Sequence, residues 1–126
     1  MSWASEFYAG KDVVITGGTS GIGQGIGRAF ADAGATVHAT GATHAEVEAA
    51  IAAEPRFRYT QIDVRNTEQV TEYAGAFGPV AALVNCAGVN LRAAEHTVEG
   101  FETVIDINLN GSMRTAYAFR DKLRGG

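Results

Sequence analysis

The chain has 126 residues, a length that suits one domain, and its 46% hydrophobic and 19% charged residues are ordinary for a soluble globular protein. The formal net charge of −4 at pH 7 argues against nucleic acid as the principal partner. A single cysteine, Cys86, excludes a disulfide framework and a multi-cysteine metal site, so we expect no metal and a reducing, cytoplasmic setting.

The N-terminal residues 1–10 do not resemble a targeting segment. They have neither the basic start nor the long apolar core of a signal peptide. No later stretch is apolar over the length that a membrane-spanning helix needs. We therefore expect a protein without a membrane partner.

The first predicted strand, Asp12–Thr16, runs directly into a glycine-rich loop. Its apolar, β-branched centre predicts a strand buried on both faces of a parallel sheet. Gly17, Gly21 and Gly23 follow in the pattern Gly-x-x-x-Gly-x-Gly, and apolar residues then recur at helical spacing. A loop that leads into a helix presents free N–H groups, and glycines let an anion approach them. The sequence therefore predicts a phosphate site here.

Other nucleotide-binding motifs are absent from the sequence. Gly-x-Gly-x-x-Gly occurs nowhere, and no Gly-Lys-Ser/Thr follows the glycines, which disfavours a P-loop kinase or GTPase. An S-adenosylmethionine methyltransferase would want an acidic residue just before the loop, where Thr16 stands, so that class ranks last.

Further strand patterns follow along the chain, each separated from the next by a helical pattern. They cover Thr36–Thr40, Phe57–Ile62 and Ala81–Cys86. Alternation of strands and helices predicts parallel strands joined by right-handed crossovers, and therefore an α/β fold.

The predicted helices after the first cover Ala45–Ala53, Thr67–Phe77 and about 98–123. Gly34 is expected to end the first helix as a left-handed cap. Asn66 and Gln69 resemble a capping box at the start of the third.

The long C-terminal helix combines an apolar stripe with a weak centre. Asn108, Asn110 and Gly111 are poor helix formers, so we expect a kink or a loosened backbone bond among them. The predicted buried stripe consists of Phe101, Ile105, Leu109 and Met113.

Segments of this chain resemble, in the same order, those of the short-chain dehydrogenase/reductase family, which binds NAD or NADP on a Rossmann sheet. They are Thr16–Gly23, Asp63-Val64, Asn85–Gly88 and Thr103–Gly111. The resemblance implies a Rossmann-type, doubly wound parallel sheet whose strands 1 to 4 stand in the order 3-2-1-4. It also implies that residues 1–126 form a single dinucleotide-binding domain that is incomplete at its C-terminus and ends before strand 5.

The resemblance assigns roles to the first two segments. The glycine loop holds the cofactor's pyrophosphate, the Asp63 carboxylate accepts a hydrogen bond from the adenine amino group, and Val64 contacts the ring through its backbone. An aspartate after a strand also commonly makes a turn. On the residues alone, these two interpretations of Asp63 are equally good.

The other two segments are similar to the nicotinamide side of the family's site. Asn85 then ties neighbouring strands together, while Ala87 and Gly88 line the ribose. Cys86, which has no designated base, is interpreted as a small buried residue rather than a nucleophile. In the family, the residue that matches Asn108 belongs to a catalytic tetrad, and its kinked backbone holds a water that relays protons to a lysine. The expected cofactor contacts are Gly17, Thr19, Ser20, Gly21, Ile22, Gly23, Thr43, Asp63, Val64, Asn85, Ala87 and Gly88.

The end of the second strand leaves the choice between NAD and NADP open. Dinucleotide sites carry a carboxylate for the ribose 2′-hydroxyl here. That position falls at Gly41, and the arginine of many NADP-preferring relatives falls near Ala42. The missing acid favours NADP slightly. Thr43 and His44 are candidate contacts to a ribose or its phosphate, and a helix cap is an equally good interpretation.

The family's proton-transfer residues are absent. Its reaction needs a serine and a Tyr-x-x-x-Lys pair, in which the lysine lowers the tyrosine pKa. None of the four tyrosines has a lysine four residues further on. We therefore predict the N-terminal half of an NAD(P)-dependent oxidoreductase for a small-molecule alcohol or carbonyl substrate, itself inactive. The alternative is a non-catalytic dinucleotide-binding or interaction module that ends naturally at Gly126.

A substrate and other copies of the same chain are the expected partners. The loop Val89–Glu95 is expected to border the substrate. By resemblance, a homo-oligomer forms when the helix that carries Asn108 packs against its copy. The fourth strand, lacking a neighbour, is an apolar sheet edge that favours self-association.

Overall fold

A parallel sheet of four strands organises the part of the chain that the computed structural model describes, residues 2–89 and 92–126. The strands are β1 (Asp12–Thr16), β2 (Thr36–Gly41), β3 (Arg58–Gln61) and β4 (Ala82–Asn85). Their order in the sheet is β3-β2-β1-β4. This confirms the predicted Rossmann-type order, and each strand end lies within one residue of its predicted place.

Helices connect the strands and cover the sheet. They are α1 (Trp3–Tyr8), α2 (Gly21–Asp32), α3 (His44–Ala53), α4 (Thr67–Gly75), α5 (Val98–Ile105) and α6 (Gly111–Gly125). A 3₁₀ turn, Arg92–His96, precedes α5, and a π-helical turn, Asp106–Asn110, joins α5 to α6. The loosened backbone expected around Asn108 is therefore present as a π turn, in which hydrogen bonds reach one residue further than in an α-helix. Helix α1 was not predicted because its six residues are too few for a periodic pattern.

The core lies on both faces of β1. Val13, Val14 and Ile15 of this strand have no exposed surface. Because side chains alternate along a strand, Val13 and Ile15 pack with Phe57 and α2 on one face, whereas Val14 packs with Phe119, α4 and α6 on the other. Helices on both faces are what a doubly wound sheet requires.

The predicted buried stripe of the C-terminal helix is wrong. Phe101, Leu109 and Met113 are 58%, 62% and 65% exposed. The face of α6 that meets the rest of the molecule carries Gly111, Thr115 and Phe119 instead. A Cβ added to Gly111 would lie 2.6 Å from Val64 Cγ2, so small residues stand where this helix comes closest to its neighbours. Periodicity identified an apolar stripe but not what covers it.

The two helix caps predicted from the sequence, at Gly34 and at Asn66, are wholly and partly present. Gly34 has φ 90° and confirms the left-handed cap after α2. Asn66 accepts a hydrogen bond from the Gln69 N–H, but the Gln69 side chain accepts from the Asp63 N–H instead of returning to Asn66. Only half of the predicted capping box is therefore present.

Strand β4 occupies one edge of the sheet, where β1 is its paired neighbour. Its side chains are intermediate in burial at Ala82, Leu83 and Val84 and exposed at Asn85. Among the described residues, no helix combines the length and the apolar character that crossing a membrane requires.

Candidate functional site

The carboxyl ends of β1, β2 and β4 meet at one edge of the sheet. Thr16 of β1 pairs in register with Thr40 of β2 and with Asn85 of β4, so the loops after these strands begin side by side. They surround a cleft of about 570 Å³, a volume typical of small-molecule sites. The cleft lies where the strand order reverses, which is the usual ligand position in open α/β sheets.

Most of the predicted site residues line this cleft. Those that do are Gly17, Thr19, Ser20, Ile22, Gly23, Thr43, Asp63, Val64, Ala87 and Gly88. Gly21, Asn85 and Asn108 are not among the lining residues. The structure adds Glu46, Arg65 and Ile107, which the sequence analysis did not single out.

The loop after β1 packs directly on the backbone that follows β4. Gly17 has φ 67°, and a Cβ there would lie 2.7 Å from the Cys86 carbonyl oxygen and the Ala87 nitrogen. The Thr16 hydroxyl accepts a hydrogen bond from the Ala87 N–H at 3.3 Å. Only glycine fits this contact, because the conformation is left-handed and the neighbouring atoms are backbone.

Helix α2 begins at the mouth of the cleft with its first turn open. Ser20 is its N-cap residue, but the Ser20 side chain makes no capping hydrogen bond. Ile22 is 81% exposed, whereas Gly23 is buried, and a Cβ at Gly23 would clash with the Gly17 carbonyl oxygen. A twelve-residue helix with uncapped N–H groups and a bare glycine surface is suited to binding an anion.

Thr43 at the end of β2 is a helix cap as well as a lining residue. Its hydroxyl accepts from the Glu46 N–H at 3.2 Å, and the Glu46 carboxylate accepts from the Thr43 N–H, which completes a capping box. The Thr-x-x-Glu spacing is the signal that could have found Glu46 from the sequence.

The carboxylate of Asp63 faces the cleft and is already engaged. It accepts hydrogen bonds from the Arg65 backbone N–H, Nε and Nη2 at 3.0, 3.0 and 2.9 Å. The hydrogen bonds from Arg65 hold the pKa of Asp63 below its usual value. The turn interpretation of Asp63 therefore describes this structure, and it leaves a charged acceptor at the cleft wall.

Asn85 ties neighbouring elements together, as the resemblance implied. Its Oδ1 accepts from the Thr16 hydroxyl at 3.4 Å, and its Nδ2 donates to the Ser112 carbonyl oxygen at 3.5 Å. These bonds join β4 to β1 on one side and to α6 on the other. Cys86, interpreted from the sequence as a small buried residue, packs against the core but is only partly buried and also lines the cleft.

Asn108 lies in the π turn and holds the loop after β4. Its Oδ1 accepts from the Val89 N–H at 2.8 Å, and its Nδ2 donates to the Val89 carbonyl oxygen at 3.0 Å. Val89 lines the cleft, whereas Asn90 and Leu91 of the expected substrate loop lie outside the described residues. Asn108 therefore acts on the cleft through Val89.

The sequence and the fold were compared with known proteins. The family described as short chain dehydrogenase matches residues 11–126. The L-xylulose reductase of Homo sapiens is 32% identical over 112 residues, which cover 87% of this chain and 46% of that protein. The 2-dehydro-3-deoxy-L-rhamnonate dehydrogenase (NAD(+)) of a Sphingomonas strain is 34% identical over 125 residues, 88% of this chain and 47% of that protein.

A solved structure gives the same result for the fold. A short-chain type dehydrogenase/reductase from Mycobacterium ulcerans superposes with a TM-score of 0.83 at 25% identity, over 94% of this chain and 49% of that one. The chain thus spans about half the length of the relatives that it matches.

Proposed function

Because the chain belongs to the short-chain dehydrogenase family, we propose that its cleft binds NAD or NADP. The observation that carries this proposal is the uncapped first turn of α2, whose Ile22 and Gly23 line the same cleft as Ala87 and Gly88. A Cβ at Gly17 or Gly23 would clash with neighbouring backbone atoms, so these glycines fix the shape of the loop that leads into the N–H donors of α2.

The lining residues divide between the two halves of a dinucleotide. Gly17–Gly23 and the α2 amides would hold the pyrophosphate. Asp63 and Val64 would border the adenine, with the ionised Asp63 carboxylate as a hydrogen-bond acceptor. Ala87 and Gly88 would border the nicotinamide ribose. When bound, the nicotinamide supplies or accepts the hydride.

The complete reaction is proposed for a protein that includes this chain. Family membership and the relatives' names favour an oxidoreductase that acts on a small alcohol or carbonyl compound. Asn108 is proposed as its catalytic asparagine, held in the π turn beside the cleft. Because no tyrosine here has a lysine four residues on, we expect this chain alone to bind the cofactor without turning over substrate.

A non-catalytic module is the second candidate. It would use the same dinucleotide site, at the carboxyl ends of β1, β2 and β4. For either function we place the protein in the cytoplasm, because one cysteine gives no disulfide that an oxidising compartment would maintain.

Self-association is also proposed. Leu109 and Met113 are more than half exposed on α6 and its preceding turn, and Phe101 and Tyr117 extend the apolar surface. Exposed apolar patches of this kind mark interaction sites. A second copy of the chain is the occupant that we propose, in a homo-oligomer.

Titration of the purified chain with NADH and with NADPH tests the shared claim. We expect saturable binding of at least one nucleotide, competed by ADP-ribose, which lacks the nicotinamide. Failure of both nucleotides to bind would remove the dinucleotide function for the enzyme and for the module alike.

A further inference from the structure

We propose that Glu46 makes this cleft select NAD over NADP, an inference that rests on the proposed dinucleotide function. The residue lines the cleft at the end of β2, where a dinucleotide site distinguishes a ribose 2′-hydroxyl from a 2′-phosphate. The sequence alone favoured NADP slightly, because position 41 carries no acid. The structure supplies a carboxylate from another position.

The end of β2 has no room for a side chain of its own. A Cβ added to Gly41 would lie 2.7 Å from Thr19 Cγ2, 3.2 Å from Val47 Cγ2 and 3.5 Å from Glu46 Cβ. Because Thr19 belongs to the glycine loop, Gly41 lies between Glu46 and the proposed pyrophosphate loop. The space that an acid at position 41 would take is therefore bordered by the acid at position 46.

The Glu46 carboxylate accepts hydrogen bonds from the backbone N–H groups that follow β2. Its Oε2 accepts from the Ala42 N–H at 2.8 Å and from the Thr43 N–H at 3.3 Å. Free N–H groups at a helix start are natural partners of a phosphate. Here a 2′-phosphate would have to displace a carboxylate or lie against its charge, whereas a ribose hydroxyl can donate to that carboxylate.

The described lining offers no free cation to offset this charge. Arg65 is the cation among the described lining residues, and its Nε and Nη2 both donate to Asp63. His44, next to Thr43, is directed to Glu48, with 3.6 Å between His44 Nε2 and Glu48 Oε1. The adenosine end of the cleft thus carries Glu46 as an unneutralised anion.

Glu46 also caps α3, so the test must separate its charge from its capping hydrogen bonds. Glu46→Gln keeps an oxygen acceptor for the two N–H groups and removes the charge. Glu48→Gln is the matched control, because it makes the same charge change on the same helix at an exposed residue outside the cleft lining. Thermal unfolding of each variant checks that the fold is retained.

We expect the wild-type chain to bind NADH about tenfold more tightly than NADPH. Glu46→Gln should tighten NADPH binding by about tenfold and change NADH binding by less than about threefold, whereas Glu48→Gln should leave the ratio unchanged. Competition by AMP and by adenosine 2′,5′-bisphosphate repeats the comparison on the wild-type chain, without any variant.

The preference is overturned if wild-type chain binds NADPH as tightly as NADH, or if both variants shift the ratio equally. Either outcome would leave the dinucleotide function standing, because nucleotide still binds. Absence of binding by both nucleotides would instead reject the dinucleotide function, and the preference with it.

Discussion

The Asn108 side chain forms hydrogen bonds with both polar backbone atoms of Val89. Its Oδ1 accepts from the Val89 N–H at 2.8 Å, and its Nδ2 donates to the Val89 carbonyl oxygen at 3.0 Å. This is the pairing that one strand makes with another, supplied here by a side chain. The π turn places the carboxamide beside the loop after β4, and the Asn108 carbonyl oxygen accepts from the Ser112 hydroxyl at 3.0 Å.

Removing the hydrogen bonds between Asn108 and Val89 should destabilise the part of the cleft wall that Val89 forms. Asn108→Ala deletes two hydrogen bonds, each of which contributes about 1 kcal/mol, so we expect lower stability in urea and weaker nucleotide binding. Asn108→Asp keeps the acceptor for the Val89 N–H but opposes a carboxylate to the Val89 carbonyl, and should weaken binding too. Asn110→Ala, two residues further along the same π turn, is the control. Equal nucleotide affinity in Asn108→Ala and Asn110→Ala would show that Val89 needs no anchor.

Two glycines of α2 provide a matched pair. A Cβ at Gly23 meets the Gly17 carbonyl oxygen, whereas a Cβ at Gly25 has nothing within 4 Å. Gly23→Ala should destabilise the fold by about 2 kcal/mol through overpacking and abolish nucleotide binding. Gly25→Ala should stabilise it by about 1 kcal/mol, since alanine is the better helix former. Urea unfolding and NADH titration of both variants check this. Normal binding by Gly23→Ala would separate the glycine loop from the ligand.

The glycine contrast shows where the sequence was sufficient and where it was not. Close packing accounts for Gly27, where a Cβ would lie 2.6 Å from the Phe57 ring, but not for Gly25, where a Cβ would meet nothing within 4 Å. Both glycines look alike in the sequence. The strands and the glycine loop were predictable because their signals are local. Which glycine touches what depends on strands that are distant in the chain.

For Glu46 and the apolar stripe too, the sequence revealed the local spacing of the side chains but not their surroundings in the fold. The Thr43–Glu46 spacing could have revealed the capping box, but not that the Glu46 carboxylate borders a cleft made with Thr19. Leu109 and Met113 have the spacing of a buried stripe, yet they are exposed in the single chain. Hydrophobic periodicity identifies an apolar face, but it does not say whether the rest of the chain packs against that face.

The ion pair between Asp106 and Arg114 should make stability depend on pH. Arg114 Nη2 donates to Asp106 Oδ1 at 2.6 Å, and this bond lowers the pKa of Asp106. A depressed folded-state pKa stabilises the fold above the unfolded-state pKa, about 4, and that contribution disappears as the pH falls through the lower folded-state value.

Asp106→Asn should therefore be less stable than wild-type chain at pH 7, with the difference closing below about pH 4. Urea unfolding at pH 7, 5 and 3 measures it. Asp121→Asn, at an 83% exposed side chain 3.8 Å from Arg124, is the control and should show a smaller difference. A constant gap between wild-type chain and Asp106→Asn at every pH would contradict the assignment.

The exposed apolar face should drive association between copies. We expect the mass from light scattering to rise with concentration, and Leu109→Glu and Met113→Glu to lower it toward the monomer, because a charge cannot be buried there without a partner. Ile51→Glu, at a 47% exposed residue of α3, is the control. If association persists in both variants, the edge of β4 becomes the interface to test.

The cleft has two walls that come from distant parts of the chain, since Thr16 and Asn85 are 69 residues apart. A ribosome releases β1, α2, β2 and β3 before β4, so the glycine loop can assemble on a nascent chain while the opposite wall is still being made. During that interval the flank of β1 that later receives β4 is bare and open to chaperones or to wrong pairing. Any ligand that needs both walls would stabilise only chains that have been translated past this strand.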